Sequence, residues 1–448
     1  MVATNVAETS LTIDGIRCVI DSGLARIPRY DAHRGLNTLL IEKISRAAAD
    51  QRAGRAGRTA PGLCLRLWSQ DEHAHRPAQE LPEIKRLDLA EVALTLKAAG
   101  VEDLWKFRWL EAPDERALSR AEQLLADLGA LERQSAGTGR ITPLGRKMLA
   151  FPLHPRYGRM LLAAQEHGCV YQACTVAALT QGRDLLARNA DADTAHRRED
   201  LVGENRSSDF WLLMRAWEHV AQNQFRPEVC ARLGVHAPTA RQVEPLLQQF
   251  LELAHHEGLD TSRRDAPPEA LQRCILIAFN DRVARLLDPT TLRCELVHGR
   301  RGTLARESLV RHTPLLVAAE VREVEGRDKS VTTVLSLATA VEADWLRESF
   351  PGDITSAQRV FLDSASKRVY AEDQWRFREL AVGTRRVEPP PLDEAARLLA
   401  DEVLAGRLGA SDWDEEVEQW ILRLNQLSSW WPGVGLAAHR RRGSARLD

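Results

Sequence analysis

Gln51-Arg-Ala-Gly-Arg-Ala-Gly-Arg58 sets guanidinium groups at a spacing suited to phosphate chemistry. If the run opens a helix, Gln51, Arg55 and Arg58 lie within one or two turns of one another, near the positively polarised helix end. Gly54 and Gly57 then leave room for close approach of a ligand. Guanidinium forks bond phosphate oxygens in pairs. Placed opposite a transferring γ-phosphoryl, such an arginine neutralises charge that develops in the transition state. An ordinary basic helix face or an RNA-binding arginine cluster fits the same eight residues.

A second candidate stretch lies upstream. Ala3-Thr-Asn-Val-Ala-Glu-Thr-Ser-Leu-Thr-Ile13 is a polar run ahead of an apolar segment, Ile16 to Ile20. It reads as the loop at the end of a parallel strand, where hydroxyl and amide side chains can bond a nucleic-acid backbone or a nucleotide. Helix capping and turn formation call for the same residue types.

In this order the two stretches resemble motifs V and VI of the DEAH-box family of superfamily 2 helicases. Ser45-Arg-Ala-Ala-Ala-Asp-Gln-Arg-Ala-Gly-Arg-Ala-Gly-Arg-Thr-Ala-Pro-Gly62 looks most like the bacterial branch called HrpB. The resemblance implies that Thr4 and Asn5 touch the nucleic-acid backbone. It implies that Ser10 and Asp14 sense a nucleotide across a domain cleft, that Gln51 contacts the γ-phosphate, and that Arg55 and Arg58 are arginine fingers. The cofactor it implies is ATP with Mg2+, used by the intact enzyme to drive 3′-to-5′ movement along single-stranded RNA or DNA. Where many relatives stack an aromatic residue on adenine, Asp21-Ser22-Gly23-Leu24 offers Leu24, which can cover the base without a π contact.

No Gly-x-x-x-x-Gly-Lys-[Ser/Thr] occurs in the sequence, so a loop to wrap the β- and γ-phosphates is missing. Asp71-Glu72-His73-Ala74-His75 has its histidine one place early for a magnesium box and reads as a polar surface turn, with no metal site assigned. Phosphoryl transfer needs the cradle, the metal ligands, the water-positioning group and the arginine clamp together. The chain is therefore expected to be catalytically incomplete by itself, with the first RecA-like domain supplied by another chain or segment.

The elements that must position these residues follow from length and pattern. At 448 residues and 50.1 kDa the chain has material for several domains. Its formal charge of −2 means that any attraction for nucleic acid has to be local. Seven cysteines without a Cys-x-x-Cys pair read as reduced thiols. No run approaches the length of a membrane span and no signal peptide opens the sequence, so a cytoplasmic protein is expected.

The fold class expected is multidomain: α/β, then α, then β. Residues 1–80 read as the latter half of a RecA-like parallel domain, with an unpaired sheet edge and thin helix cover. Residues 81–150 look like the family's winged helix. There Ala117, Leu118, Ala121, Leu124, Leu125 and Leu128 form a helical stripe capped by Asp114 and Gly129, Thr142-Pro143 starts another helix, and Gly137-Thr-Gly139 suggests the wing turn. Residues 151–287 read as a helical bundle, ratchet-like by the resemblance, with a charged loop or exposed helix from Arg183 to Arg206.

From 288 to 388 the period becomes two, and an OB-like β-barrel is expected with a hairpin turn at Glu325-Gly-Arg-Asp328. Its loop His298-Gly-Arg-Arg-Gly302 offers Arg300 and Arg301 to a single strand. After Pro389-Pro-Pro391, residues 389–448 form a helical segment rich in tryptophan that reads as truncated. Two functions fit: the C-terminal part of an ATP-dependent helicase, or a non-enzymatic nucleic-acid-binding or accessory protein that kept the winged helix, bundle and OB-like parts; a non-functional fragment is the further alternative.

Overall fold

The structure, a computed structural model, describes residues 2–9, 14–31, 36–133, 139–180, 184–188, 190–325, 331–363, 366, 368–405, 407–408 and 414–431. The chain divides into two compact units, 1–342 and 343–448.

The first unit begins with α1 (Val6–Thr9), β1 (Cys18–Asp21), a hairpin of β2 (Leu24–Asp31) and β3 (Leu36–Lys43), α2 (Arg46–Gly54), β4 (Leu63–Arg66) and α3 (Gln70–His75). Strands β1 and β4 pair in parallel, Cys18 opposite Leu63 and Asp21 opposite Arg66. Ile20, Leu63, Leu65 and Leu67 on this pair and just beyond it are exposed, so apolar side chains that a larger sheet would cover meet solvent.

Two expectations for this segment are corrected. Ser45 Oγ accepts from Ala48 N at 3.1 Å, and Ala48 and Ala49 are buried, so α2 starts well before Gln51. The run from Gln51 to Arg58 therefore closes the helix instead of opening it. Its guanidiniums lie near the negatively polarised end, where cations are stabilised but the helix dipole offers nothing to an anion. The stretch Asp71 to His75 is helical, not a turn: Ser69 caps α3, and Glu72 bonds Arg76 at 2.8 Å. Arg76 is buried, stacks 4.2 Å from the Trp68 ring and donates to the carbonyls of Gly23 and Ile44.

Next come α4 (Ala90–Ala98), α5 (Glu115–Asp127) and α6 (Pro143–Met148) around a core of Leu94, Leu104, Leu118, Leu125 and Met148. Asp114 accepts from the amides of Arg116 and Ala117, Gly129 takes a left-handed conformation (φ +73°) after α5, and Thr142 accepts from Gly145 N with Pro143 first in α6. The stripe and its caps are thus observed. Leu131 and Ile141 form an antiparallel bridge, while Gly137 and Thr138 of the expected wing turn lie outside the described residues.

The bundle runs α7 (Pro155–His167), α8 (Val170–Thr180), α9 (Ala192–Val202), α10 (Asp209–Gln222), α11 (Pro227–Leu233), α12 (Ala237–His256) and α13 (Pro268–Ala278). Val243, Leu247, Phe250 and Ala254 bury one stripe of α12. Helix α13 buries Ala270, Leu271, Gln272 and Cys274 to Ala278, leaving Glu269 exposed and Arg273 partly so.

A closed five-stranded barrel follows, built from β5 (Val283–Asp288), β6 (Arg293–Leu296), β7 (Arg301–Leu304), β8 (Leu315–Glu325) and β9 (Val331–Ala340) in the order β5-β6-β7-β9-β8. Only the β7–β9 pairing is parallel. Strands β8 and β9 pair up to Glu325 opposite Val331, and the rest of the expected turn, Gly326 to Asp328, lies outside the described residues. Helix α10 is anchored on this barrel by its own first residue. Asp209, buried, accepts from Ser308 Oγ (3.0 Å), Leu309 N (2.7 Å) and Ala338 N (2.7 Å).

The β-rich stretch is not one domain as expected from 288 to 388. The barrel ends at Ala340, because its five strands already close on themselves and leave no edge to extend. The remaining strands belong to the second unit, which holds α14 (Ala343–Ser349), β10 (Ile354–Asp363), β11 (Arg368–Phe377), β12 (Leu380–Val387), α15 (Leu392–Leu404) and α16 (Glu415–Trp430). Strands β10, β11 and β12 form an antiparallel sheet pinned at its turn by Arg378 on buried Asp353, 3.0 Å apart. On and beside α16, Trp420, Trp430 and Trp431 are exposed; Trp413 lies outside the described residues.

Candidate nucleotide and nucleic-acid site

The two stretches singled out by sequence meet. Arg52, whose side chain is mostly covered, lies on the same face of α2 as Ala48 and Ala49. Its Nε donates to Glu8 Oε2 at 2.9 Å, and its Nη1 donates to Asp21 Oδ1 at 2.9 Å and to the Leu24 carbonyl at 3.2 Å. Asp21 is buried and also accepts from Gly23 N at 2.9 Å. Arg55 Nη2 donates to the main-chain carbonyl of Glu8. The upstream loop is therefore clamped to α2 by charge-assisted bonds, each worth about 1.5–3 kcal/mol where solvent is excluded.

Around this clamp the predicted residues are distributed unevenly. Thr4 and Asn5 are exposed, and their carbonyls accept from Ala7 N and Glu8 N to start α1. Asp14 sits exposed in a turn before Gly15, and Ser10 lies outside the described residues. Gln51 is exposed on α2, and Arg58 is exposed in the turn beyond it. That turn is fixed by Ala56, which is buried, and by Gly62, where a Cβ would meet the Ala56 carbonyl oxygen at 2.1 Å. Only glycine permits this approach. Leu24 opens β2 with its side chain exposed.

Glu8, Arg52 and Asp21 were not singled out from sequence. The spacing of Ala48, Ala49 and Arg52 could have shown that Arg52 faces inward, but nothing local names the carboxylates it meets.

Arg300 departs from expectation, because it is drawn inward to the main chain: its Nη2 donates to the Asp281 carbonyl at 2.9 Å. Arg301, the first residue of β7, stays exposed. Asp281 is the centre of a buried charge cluster. Arg156 grips it through Nη1 (2.5 Å) and Nη2 (2.7 Å). Burial alone would raise the Asp281 carboxyl, yet Arg156, Arg282 and Arg300 hold it well below the usual carboxylate range. Burial, with help from Arg156, lowers Arg282 to about 10. The Tyr30 hydroxyl, raised to about 12 by burial and by Asp88, brings the β2–β3 hairpin to the same cluster.

Between the bundle and the barrel lies a cavity of about 1250 Å³ whose lining includes Arg188, Arg306, Arg311, Glu307 and Glu320. Arg188 and Arg322 approach Glu320 at 3.4 and 3.1 Å, yet burial outweighs them and pushes its carboxyl up to about 7. A carboxyl raised on folding contributes stability that is full below its unfolded value near 4.5 and is lost as pH rises through about 7. Between pH 5 and pH 8 the chain is therefore expected to lose stability through this group. In calorimetric scans across that range, Glu320→Gln should flatten the slope; an unchanged slope would assign it to other groups.

Two family models match in sequence. Residues 121–153 match the winged-helix part of the helicase associated domain HA2, and residues 154–223 match its ratchet-like part. The ATP-dependent RNA helicase HrpA of Escherichia coli strain K12 is 41% identical over 225 residues, which are 50% of this chain and 17% of HrpA. The pre-mRNA-splicing factor ATP-dependent RNA helicase prp22 of Schizosaccharomyces pombe is 34% identical over 254 residues, 56% of this chain and 21% of that protein. A crystal structure of the E. coli DExH-box NTPase HrpB superposes with a TM-score of 0.56 at 26% identity, covering 98% of this chain and 47% of that one. In sequence and in fold the chain is similar to the DEAH-box helicases. It corresponds to the C-terminal portion of a DEAH-box helicase and spans less than half the length of these relatives. Among the described residues of this helicase portion, no helix is long and apolar enough to cross a membrane.

Proposed function

We propose that this chain is the γ-phosphate-sensing and strand-guiding part of an ATP-dependent helicase like HrpA and HrpB, acting on RNA as the names of its relatives suggest. In this reading residues 1–80 are the latter half of the second RecA-like domain, 81–150 the winged helix and 151–287 the ratchet-like bundle, less its last residues from Val283, which begin the barrel. The barrel that follows, whose strands succeed one another as in an OB-fold, guides the strand.

One observation carries the proposal: Arg52 and Arg55 bind the Glu8 side chain and carbonyl, joining the loop of Thr4 and Asn5 to the helix of Gln51 and the turn of Arg58 that follows it. A pull on the strand at one is felt at the other. The donor set fits the γ-phosphoryl end of ATP. Gln51 would orient it, while Arg58, with Arg55 behind it, would offset charge that develops on the phosphoryl oxygens. For Mg2+ the fit is lacking: no group of three His, Cys, Asp or Glu side chains is gathered for a metal among the described residues.

Hydrolysis therefore needs a first RecA-like domain, in the same protein or from a partner. The purified chain should bind single-stranded RNA in a salt-dependent way and release no phosphate from ATP. Steady ATP turnover by this chain alone, or indifference to RNA at low salt, would overturn the assignment. RNA binding without any stimulation of hydrolysis, once a first RecA-like domain is supplied, would favour a non-enzymatic accessory role.

A further inference from the structure

The second unit presents a surface that the helicase reading leaves unused. Residues opposed across an antiparallel pair lie on the same side of a sheet, so the register sorts β10, β11 and β12 into two faces. One face is packed. It holds buried Ala371 and Phe377, with Phe350 5.5 Å from Phe377 and the Arg347 guanidinium 4.1 Å from the Trp375 ring.

The other face holds no buried residue. On it Phe361 lies opposite Tyr370, Arg359 opposite Glu372, Glu372 opposite Arg386, Asp363 opposite Arg368, and Thr355 opposite Arg376. Arg359, Arg368, Arg376 and Arg386 are all exposed. The Phe361 and Tyr370 rings are 6.2 Å apart, tilted by 45°. Arg386 lies 3.5 Å from the Tyr370 ring centre and Arg359 5.7 Å from that of Phe361. Against these four guanidiniums stand Asp363 and Glu372 on the face, and Glu388 3.7 Å from Arg386 at its margin.

We propose that this face binds single-stranded nucleic acid, with bases stacking at Phe361 and Tyr370 and phosphates paired with Arg359, Arg368, Arg376 and Arg386. Neighbouring aromatic rings on an open antiparallel sheet form a stacking platform, and stacking tolerates any base. A guanidinium laid over a ring is already oriented, with its N–H edge available to a phosphate, so little side-chain freedom is lost on binding. Four guanidiniums against Asp363, Glu372 and the marginal Glu388 leave the face cationic, which favours a polyanion over a neutral protein surface. Here guanidiniums alternate with the rings, and Thr355, Ala357, Gln374 and Thr384 fill the rest of the face. The site adds a strand contact outside the first unit and takes its ligand class from the helicase reading.

The test is fluorescence anisotropy with a labelled oligouridylate and its deoxy counterpart, titrated against the full chain at several salt concentrations. Arg359→Gln with Arg386→Gln should weaken binding about tenfold and reduce the salt slope by about 1.4, the share of two phosphates on a single strand. Tyr370→Ala should cost about five- to a hundredfold, and Tyr370→Trp should restore binding. A measurement without variants checks the same point: a 4-thiouridine oligomer irradiated on the unaltered chain should cross-link to peptides within 354–387. If the unaltered chain binds while the variants bind equally and the cross-links fall elsewhere, this site is wrong and the helicase reading stands. If the unaltered chain binds no oligomer, both fall.

Discussion

Arg58→Ala, made in a protein that joins this chain to a first RecA-like domain, is expected to lower RNA-stimulated ATP hydrolysis by about a thousandfold with little loss of nucleotide affinity. The size of the effect follows from where the charge is needed. Negative charge on the transferring phosphoryl oxygens peaks in the transition state, and a guanidinium in a water-poor cleft between domains acts there without reorganisation. Arg58 is exposed on a turn whose base is fixed by buried Ala56 and by the Ala56–Gly62 approach, which suits a side chain that must reach across to another domain. Arg55 sits against the Glu8 carbonyl, so Arg55→Ala should loosen the strand loop as well and raise the RNA concentration needed for half-maximal stimulation. Steady-state ATPase assays with RNA titrations separate the two residues. Equal loss of nucleotide binding and turnover in Arg58→Ala would mean that it binds ground-state nucleotide and is no finger.

Arg156→Met is expected to destabilise the first unit by about 3 kcal/mol, because it leaves the half-buried Asp281 beside a gap where two short bonds had been. The double variant Arg156→Met with Asp281→Leu should recover much of the loss, since the desolvation of both ions is removed together. Urea unfolding of the three proteins is the measurement. A double variant no better than the single one would show that Asp281 also serves Arg282 and Arg300 to an extent the second change cannot replace. The pair also predicts acid sensitivity. Asp281 is held below the usual carboxylate range when folded, so its contribution is full above the unfolded value near 3.9 and is lost as pH falls below it. The unaltered chain should therefore weaken below about pH 4, and the double variant should weaken less there.

The helices with one apolar face were readable because their period is visible. The stripe from Ala117 to Leu128, its Asp114 cap and Gly129, and the Thr142-Pro143 start stand in the structure as their spacing implies. The β2–β3 hairpin was hidden although its strands are neighbours in the chain, because Leu36 to Ile41 does not alternate apolar with polar residues. The end of the barrel was hidden for a related reason: strand period is the same on both sides of Ala340, and closure is decided by pairing β7 with β9 and β5 with β8.

By itself the sequence determined the chemistry on offer: a glutamine and arginines spaced for phosphate oxygens, a polar loop upstream, and no phosphate-loop motif. Side-chain type and local period are properties of neighbouring residues, and these survive without a fold. Only the tertiary structure decided which guanidinium does what. Arg52 is consumed by Glu8 and Asp21, Arg55 leans on the Glu8 carbonyl, Arg58 is exposed in the turn, and Arg300 turns into the Asp281 cluster. Each of those outcomes depends on carboxylates or carbonyls that are remote in the chain, and a buried charge takes whichever partner the packing brings within hydrogen-bond distance.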